Sequence, residues 1–342
     1  MAKKISRRAA LSTGVAAAGT LAVTSSNQKA HAWAPGPSEK QHATLKPGNT
    51  AIRMAINIKR QGNESPEEMI KRRVKDGYTA VKGARHPGGN KGEPWHSMTM
   101  PERAEVVKAC KKHDVVIYEV GGYTNLVTPD KARLQQNLKA LAHCIEVAES
   151  VGCAMVGTVA GSRDPNGLIN VHPDNWSIGT WKVLVSSVKQ VLKDTAGMKA
   201  AIGMEAQVTS IIDGPKAHRR LNDDVADDRI KVNLDPVNMM SLAHYYRTTE
   251  LIDECFELLG EDILGCHAKD SYIWPDQQTV HVQEVCPGKG VLDYERYLTH
   301  ISRLKYPRAL EAEHIPDEEY PEAKRYVEEV AKRIGVKIYG KV

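Results

Sequence analysis

Short hydrophobic segments and longer amphipathic segments alternate along the chain from about residue 50 onward. Eight short segments are rich in Val, Ile, Ala and Met and end at polar residues or at the start of an amphipathic segment, which predicts eight β-strands. The predicted strands are Ile52–Ile58, Ala80–Ala84, Val115–Val120, Ala154–Val159, Ala200–Ala206, Ile230–Leu234, Ile263–His267 and Ala309–Glu313.

The segments between the strands have the apolar spacing of helices. Four of these helices are predicted at Pro66–Asp76, Pro101–His113, Pro129–Val151 and Asn175–Thr195. Several begin at Pro or just after Ser or Asp, which favour helix starts. Gly77, Gly152 and Gly197 stop helices shortly before the next strand.

Eight strand–helix units in succession favour a parallel (β/α)8 barrel, an α/β fold. A doubly wound open sheet is the alternative, and it usually has a glycine-rich phosphate loop after its first strand. Residues 57–63 read Asn-Ile-Lys-Arg-Gln-Gly-Asn, which lacks that motif. We therefore predict a barrel domain over residues 50–342, preceded by a linker over residues 33–49.

Composition and charge change this picture mainly at the amino terminus. Of 342 residues, 41% are hydrophobic and 26% are charged, and no uninterrupted apolar run is long enough for a transmembrane helix. The net charge is +5, but the first 32 residues hold five Lys and Arg and no acidic residue. The rest of the chain is formally neutral, which argues against a nucleic-acid binder.

Residues 1–32 have the three parts of an export signal. A basic start with Arg7-Arg8 precedes a mild apolar run, Ala9–Val23, and Ala30-His31-Ala32 supplies a small-residue cleavage site before Trp33. The arginine pair resembles a twin-arginine signal. We expect a periplasmic or secreted protein without membrane association after cleavage, and a disordered basic tail is the alternative.

The six cysteines form no Cys-x-x-Cys pair, which argues against a structural zinc site. Cys153 and Cys266 lie in apolar strand segments, where buried free thiols are expected. Spacing alone leaves the pairing of any disulfides open.

Polar residues close four consecutive predicted strands in the second half of the chain. The fifth strand ends near Glu205, the sixth near Asp235 and the seventh at His267, and the eighth carries Glu311 and Glu313. These ends form the functional face of a barrel, where neighbouring strands lie about 4.8 Å apart. Gathered carboxylates repel one another unless a cation is present. The set therefore predicts one divalent metal ion, with Mn²⁺ favoured and Mg²⁺, Co²⁺ or Zn²⁺ as alternatives.

Glu311 and Glu313 share a strand face, so spacing leaves the choice between them open. Five motifs lie at or after the ends of the last four strands: Glu205, Asp235-Pro236-Val237-Asn238, His267-Ala268-Lys269-Asp270, Gly288-Lys289-Gly290 and Glu313-His314-Ile315. From about residue 52 to residue 336 the chain resembles the sugar phosphate isomerase/epimerase superfamily of xylose isomerase-like TIM barrels. The resemblance implies one divalent metal ion with four ligands: Glu205, Asp235, His267 and Glu313. It also implies that Glu205 and Glu313 are the catalytic acid/base pair.

Other residues at the same face are candidate substrate contacts. His86 follows the second strand, Glu119 lies near the end of the third, and Arg163 follows the fourth. Asn238 and Lys269 follow the metal ligands of strands six and seven. We predict these five as substrate-binding residues. For Glu119 the alternatives are an acid or base and a loop anchor, and for His86 and Arg163 the alternative is a solvated loop charge. Asn238 departs from several epimerases of this fold, which have His at that position.

These predictions lead to a metal-dependent isomerase or epimerase that acts on a non-phosphorylated keto-sugar. A carboxylate would remove a proton beside the carbonyl, and the metal would stabilise the resulting enediolate. One alternative is a lyase that uses the same site to eliminate the glycosidic oxygen of a 3-keto-glycoside, and another is a non-catalytic sugar-binding subunit. The expected partner is a small-molecule carbohydrate and not a nucleic acid, and a homo-oligomer stays open.

Overall fold

The computed structural model describes residues 44–83 and 98–340, and the barrel unit begins at Leu45. Within these residues, eight parallel strands close a barrel, and a two-stranded antiparallel hairpin is inserted after the seventh. The barrel strands are β1 (Arg53–Asn57), β2 (Ala80–Gly83), β3 (Val116–Gly121), β4 (Met155–Val159), β5 (Ala201–Glu205), β6 (Ile230–Leu234), β7 (Ile263–Ala268) and β10 (Ala309–Ala312). The hairpin strands are β8 (Asp270–Ile273) and β9 (Val282–Val285).

The strand order around the barrel is β1-β10-β7-β6-β5-β4-β3-β2, so strands that are sequential in the barrel lie side by side and β10 closes it against β1. Each of the eight predicted strands is present, and its ends differ from the prediction by at most one residue. The predicted (β/α)8 fold is therefore confirmed, and the open doubly wound sheet is excluded.

Helices alternate with the strands in the described chain. They are α1 (Pro66–Lys75), α2 (Met100–Lys112), α3 (Lys131–Val151), α4 (Ile178–Asp194), α5 (Pro215–Val225), α6 (Thr248–Leu259), α7 (Tyr294–Arg303) and α8 (Tyr320–Ile334). None of these helices combines the length and the apolar composition needed to cross a membrane.

Capping side chains determine where the first helices begin. Ser65 and Thr99 each accept a hydrogen bond from the backbone of a Glu three residues later, and that Glu completes a capping box. Asp130 caps α3, and Ser177 caps α4. The predicted α4 start at Asn175 is therefore too early, because residues 173–176 form a separate 3₁₀ turn before the cap.

The apolar core has two parts. The larger part lies mainly between the strands and the surrounding helices, and a small cluster contains Ala55, Ala80, Tyr118, Met155 and Ala309. All six cysteines are buried and none of them forms a disulfide, which confirms the buried thiols expected at Cys153 and Cys266.

A bulge in β3 changes the direction of two interior side chains. Val81 pairs with Ile117 and Lys82 with Glu119, so Tyr118 is an extra residue in β3. A bulge lets consecutive residues depart from strict alternation between the two faces of a strand. Tyr118 and Glu119 consequently both reach partners inside the barrel, Glu311 and Lys82 respectively.

Candidate metal centre

Four side chains meet at the carboxyl ends of β5, β6, β7 and β10. They are Glu205, Asp235, His267 and Glu313, and one potential ligand atom of each lies within 4.8 Å of the others. His267 Nδ1 lies 3.2 Å from Glu313 Oε1, 3.6 Å from Asp235 Oδ2 and 3.7 Å from Glu205 Oε1. All four side chains are buried. The structure thus brings together the four residues predicted as metal ligands, which we call the ligand cluster.

Local backbone structure aims Asp235 into the ligand cluster. Its Oδ1 accepts hydrogen bonds from Val237 N at 2.9 Å and Asn238 N at 3.2 Å. This turn occupies one carboxylate oxygen and leaves Oδ2 directed toward His267. The Asp-Pro-Val-Asn motif therefore orients a ligand oxygen.

Glu311 lies in β10 and Glu313 directly follows that strand, but the two carboxylates contact different groups. Glu313 Oε1 faces His267 Nδ1, whereas Glu311 pairs with His267 in strand register and hydrogen-bonds to Tyr118 OH. Burial raises the pKa of Glu311, and the nearby Glu313 adds to this effect. Only Glu313 belongs to the ligand cluster, which is the choice that strand spacing left open.

Lys269 and Asn238, two of the predicted substrate contacts, lie at the ligand cluster. Lys269 Nζ lies 2.9 Å from both Asp235 Oδ2 and Glu313 Oε1, and it donates to Asn238 Oδ1 at 3.1 Å. Asn238 in turn donates to Glu205. Burial alone would raise the pKa of Asp235, but the charge of Lys269 and the contact with His267 lower it to about 2. Asp235 is therefore an anion over the whole ordinary pH range.

The donor atoms of this cluster fit a divalent cation. His267 Nδ1 is buried and has no hydrogen-bond partner among the described residues, although three carboxylates face it. Asp235 Oδ2 also accepts no hydrogen bond there, even with Lys269 close by. Unsatisfied buried polar atoms are costly, and a metal ion would satisfy both. Three carboxylates and one imidazole suit Mn²⁺ or Mg²⁺, with Co²⁺ and Zn²⁺ as alternatives.

A second group of buried charges lies beside the ligand cluster. Lys82 Nζ lies 3.5 Å from Glu119 Oε1, 3.3 Å from Glu311 Oε2 and 3.1 Å from Glu313 Oε2. The sequence analysis missed Lys82, although a single lysine within the apolar segment Ala80–Gly83 was an available signal. We call Lys82, Glu119 and Glu311 the inner cluster.

Tyr123 connects the inner cluster to the ligand cluster and was also missed. Its hydroxyl donates to Glu205 Oε2 at 2.9 Å and lies 3.2 Å from Glu119 Oε1. Asn233, in the middle of β6, donates to Glu119 Oε2 at 2.9 Å and lies 3.2 Å from His267 Nε2. Neither residue closes a predicted strand, so a search for polar residues at strand ends does not find them.

The remaining predicted substrate contacts have different surroundings. Glu119 is fully buried, and its described partners are protein groups within the barrel. Arg163 donates to Val127 O at 2.7 Å, which ties together the loops after β3 and β4. His86 lies outside the described residues. Substrate binding by these three residues, and by Asn238 and Lys269, stays a prediction.

The hairpin after β7 adds an acidic side chain next to the cluster. Glu284 of β9 lies 3.4 Å from Lys269 Nζ and 3.2 Å from His314 Nδ1. His314, directly after Glu313, has a φ of 58°, an uncommon backbone angle for a residue with a side chain. The hairpin therefore contacts residues that closely follow two ligands of the cluster: Lys269, two residues after His267, and His314, directly after Glu313.

Comparison with known proteins gives one family match. Residues 72–333 match the sequence profile of the family described as xylose isomerase-like TIM barrel. No curated protein sequence matches the chain significantly. Among solved structures, D-psicose 3-epimerase with D-tagatose from Clostridium cellulolyticum H10 is 13% identical, with a TM-score of 0.59 over 83% of this chain and 100% of that chain.

Two further structures have the same fold. A xylose isomerase-like TIM barrel protein from Mycobacterium smegmatis, in complex with magnesium, is 13% identical, with a TM-score of 0.58 over 83% of this chain and 96% of that chain. The probable 3-DHS dehydratase AsbF from Bacillus anthracis is 12% identical, with a TM-score of 0.62 over 82% of this chain and 100% of that chain. At these identities the similarity establishes the fold alone.

Proposed function

Because the chain belongs to the xylose isomerase-like TIM barrel family, we propose that it is a divalent-metal-dependent isomerase or epimerase of a non-phosphorylated keto-sugar. The observation that carries this proposal is the buried ligand cluster of three carboxylates and one imidazole at the carboxyl ends of the strands. The shared fold of D-psicose 3-epimerase supports it.

A cation held by the ligand cluster would polarise a substrate carbonyl and stabilise negative charge on its oxygen. Glu205 and Glu313 are the proposed acid/base pair. One carboxylate removes the proton beside the carbonyl to give an enediolate, and a second group returns a proton to another carbon or face. Glu205 is oriented for this task by hydrogen bonds from Tyr123 and Asn238.

The charges near the site favour a substrate without phosphate. Lys289 of the Gly-Lys-Gly segment lies 3.4 Å from Glu319 and 3.1 Å from Glu322, so its charge is balanced by protein carboxylates. Lys82 and Lys269 are likewise surrounded by carboxylates. Export by the proposed signal over residues 1–32, which lies outside the described residues, agrees with this preference, since periplasmic sugars are seldom phosphorylated.

A second candidate function is a lyase for 3-keto-glycosides. Proton removal beside a ketone can expel a glycosidic oxygen at the β position, and this needs the same cation and the same carboxylates. The fold shared with a probable dehydratase supports this candidate.

Metal binding and product analysis test the proposal together. We expect one Mn²⁺ per chain in the wild type and less than a tenth of that occupancy in Asp235→Asn and His267→Ala. Asp262→Asn is the control, because Asp262 pairs with Lys231 and Arg219 at the amino end of β7. Full occupancy in both cluster variants would contradict the metal centre.

Substrate panels then distinguish the candidates. With keto-sugars, an isomerase or epimerase produces a new keto-sugar or stereoisomer. With 3-keto-glycosides, a lyase releases the aglycone. A metal-loaded protein that binds these compounds and converts none of them would instead be a sugar-binding subunit.

A further inference from the structure

Lys82 is a buried lysine surrounded by three carboxylates. Its side chain is 4% exposed, and its ammonium group lies within 3.5 Å of oxygens of Glu119, Glu311 and Glu313. Lysine is almost never fully buried unless it is paired, because removing the charge from water is costly. One ammonium group would be neutralised by a single carboxylate. Three carboxylates around one position are instead typical of the surroundings of a divalent cation.

The inner cluster adjoins a second set of potential metal ligands. Glu119, His267 and Glu311 offer ligand atoms that lie within 4.8 Å of one another. The ammonium group of Lys82 contacts both carboxylates of this set. We propose that Lys82 takes the place of a second metal ion, so that the barrel binds one divalent cation and Lys82 positions Glu313 toward it. This inference rests on the proposed metal centre.

The two oxygens of Glu313 have separate partners, which is how Lys82 positions it. Glu313 Oε2 accepts a hydrogen bond from Lys82 Nζ at 3.1 Å. Glu313 Oε1 lies 3.2 Å from His267 Nδ1, on the side of the ligand cluster. With Oε2 held by the ammonium group, Glu313 offers one oxygen to a cation in the ligand cluster.

The barrel provides space for the inner cluster by placing glycines opposite it. A Cβ atom at Gly157 of β4 would lie 2.2 Å from Glu119 Oε1. A Cβ atom at Gly265 of β7 would lie 2.7 Å from Asn233 Oδ1, the residue that holds Glu119. The bulge at Tyr118 directs Glu119 inward opposite Lys82. Three strands are thus adapted to this arrangement of charges.

A barrel with one cation is suited to proton transfer. A hydride shift between adjacent carbons typically uses two metal ions, and here the ammonium group of Lys82 lies against the carboxylates of the second set of potential ligands. Within the proposed function, the inner cluster therefore favours proton transfer over a hydride shift. Proton transfer predicts that the transferred hydrogen exchanges with solvent.

Manganese stoichiometry tests the role of Lys82. After dialysis against excess Mn²⁺, elemental analysis should find one ion per chain in the wild type and in Lys82→Arg, which keeps the positive charge. Lys82→Ala removes the charge and leaves space, and we expect two ions per chain. Lys231→Ala is the matched control, because Lys231 is a strand lysine paired with Asp262 away from both clusters, and it should bind one ion.

Electron paramagnetic resonance of the manganese-loaded wild type gives a readout that does not depend on a variant folding. An isolated Mn²⁺ signal supports the inference, and a spin-coupled pair overturns it. A folded Lys82→Ala that binds one ion with wild-type affinity also overturns it, while leaving the metal centre intact. A wild type that binds no Mn²⁺ overturns the proposed metal centre and this inference together.

Discussion

Glu205 and Glu313 are both predicted catalytic carboxylates, but different groups hold them. Glu205 accepts hydrogen bonds from two neutral groups, Tyr123 OH and Asn238 Nδ2. Glu313 lies between the ammonium groups of two buried lysines. Burial alone would raise the pKa of Glu313, but His267 and the two lysines lower it well below its usual range. A carboxylate stabilised this strongly as an anion is a weak base. We therefore propose Glu205, which is held by neutral groups, as the carboxylate that removes the substrate proton.

Glu205→Gln should suppress the exchange of substrate hydrogen with solvent. Turnover in deuterated water should place deuterium on the carbon beside the carbonyl in the wild type, and the variant should lower that rate about 100-fold or more. KM should change much less, because a base acts mainly in the transition state. Mass spectrometry of the product measures both, with Asp262→Asn as the control. Retention of the original hydrogen, with no solvent deuterium in the wild-type product, would indicate a hydride shift instead.

At the residue scale, the predictable part of the site lies at the strand ends. Glu205, Asp235 and His267 could be found because each closes an apolar strand, and the ends of parallel strands share one face. Lys82 and Asn233 lie in mid-strand, where sequence does not distinguish a residue facing the interior from one facing the helices. Their direction depends on strand register and on the bulge in β3.

Asp270 organises the hairpin that follows β7. Its Oδ1 accepts hydrogen bonds from the backbone N–H groups of Ser271 and Leu292, both at 2.9 Å, and its Oδ2 accepts one from Gly288 at 3.0 Å. Asp270 is buried, so these three donors depend on its carboxylate. The hairpin that carries Glu284 toward Lys269 is thereby attached to the loop before α7.

Asp270→Ala should destabilise the fold by about 3 kcal/mol, because it leaves buried N–H groups without an acceptor. Asp270→Asn keeps one acceptor oxygen and should cost about 1 kcal/mol. Asp276→Ala, in the exposed turn of the same hairpin, should change stability by less than about 0.5 kcal/mol. Urea unfolding followed by circular dichroism measures all three. Equal losses in Asp270→Ala and Asp276→Ala would contradict this role of Asp270.

At the element scale, periodicity predicts the barrel strands well, because each of them is a short apolar segment between longer amphipathic segments. The start of α4 was predicted too early, since the sequence signal at Asn175 belongs to a 3₁₀ turn that ends at the Ser177 cap. The hairpin β8–β9 was not among the predicted elements. Its β9 strand is largely exposed, so it lacks the continuous apolar sequence from which the buried barrel strands can be predicted.

The charges of the whole molecule are unevenly distributed. Beyond residue 32 the chain is formally neutral, yet within residues 44–83 and 98–340 five acidic residues and two lysines are buried in the barrel interior. The acidic residues are Glu119, Glu205, Asp235, Glu311 and Glu313, and the lysines are Lys82 and Lys269. Buried charge must be compensated, and the proposed divalent cation would offset most of this negative excess. The ligands come from four strands, so the cation site forms only when the barrel has folded.

We propose that the barrel folds and binds its metal ion before it is exported, because a twin-arginine route carries folded proteins. We expect amino-terminal sequencing of periplasmic protein to begin at Trp33. Arg7→Lys combined with Arg8→Lys should reduce the exported fraction at least tenfold, because that route recognises the arginine pair itself. Lys3→Arg combined with Lys4→Arg keeps the same net charge and should export normally, which separates recognition of the pair from a general need for basic residues. Periplasmic protein with an uncleaved amino terminus, or equal export of both double variants, would contradict the signal, and the barrel would then have to acquire its metal by another route.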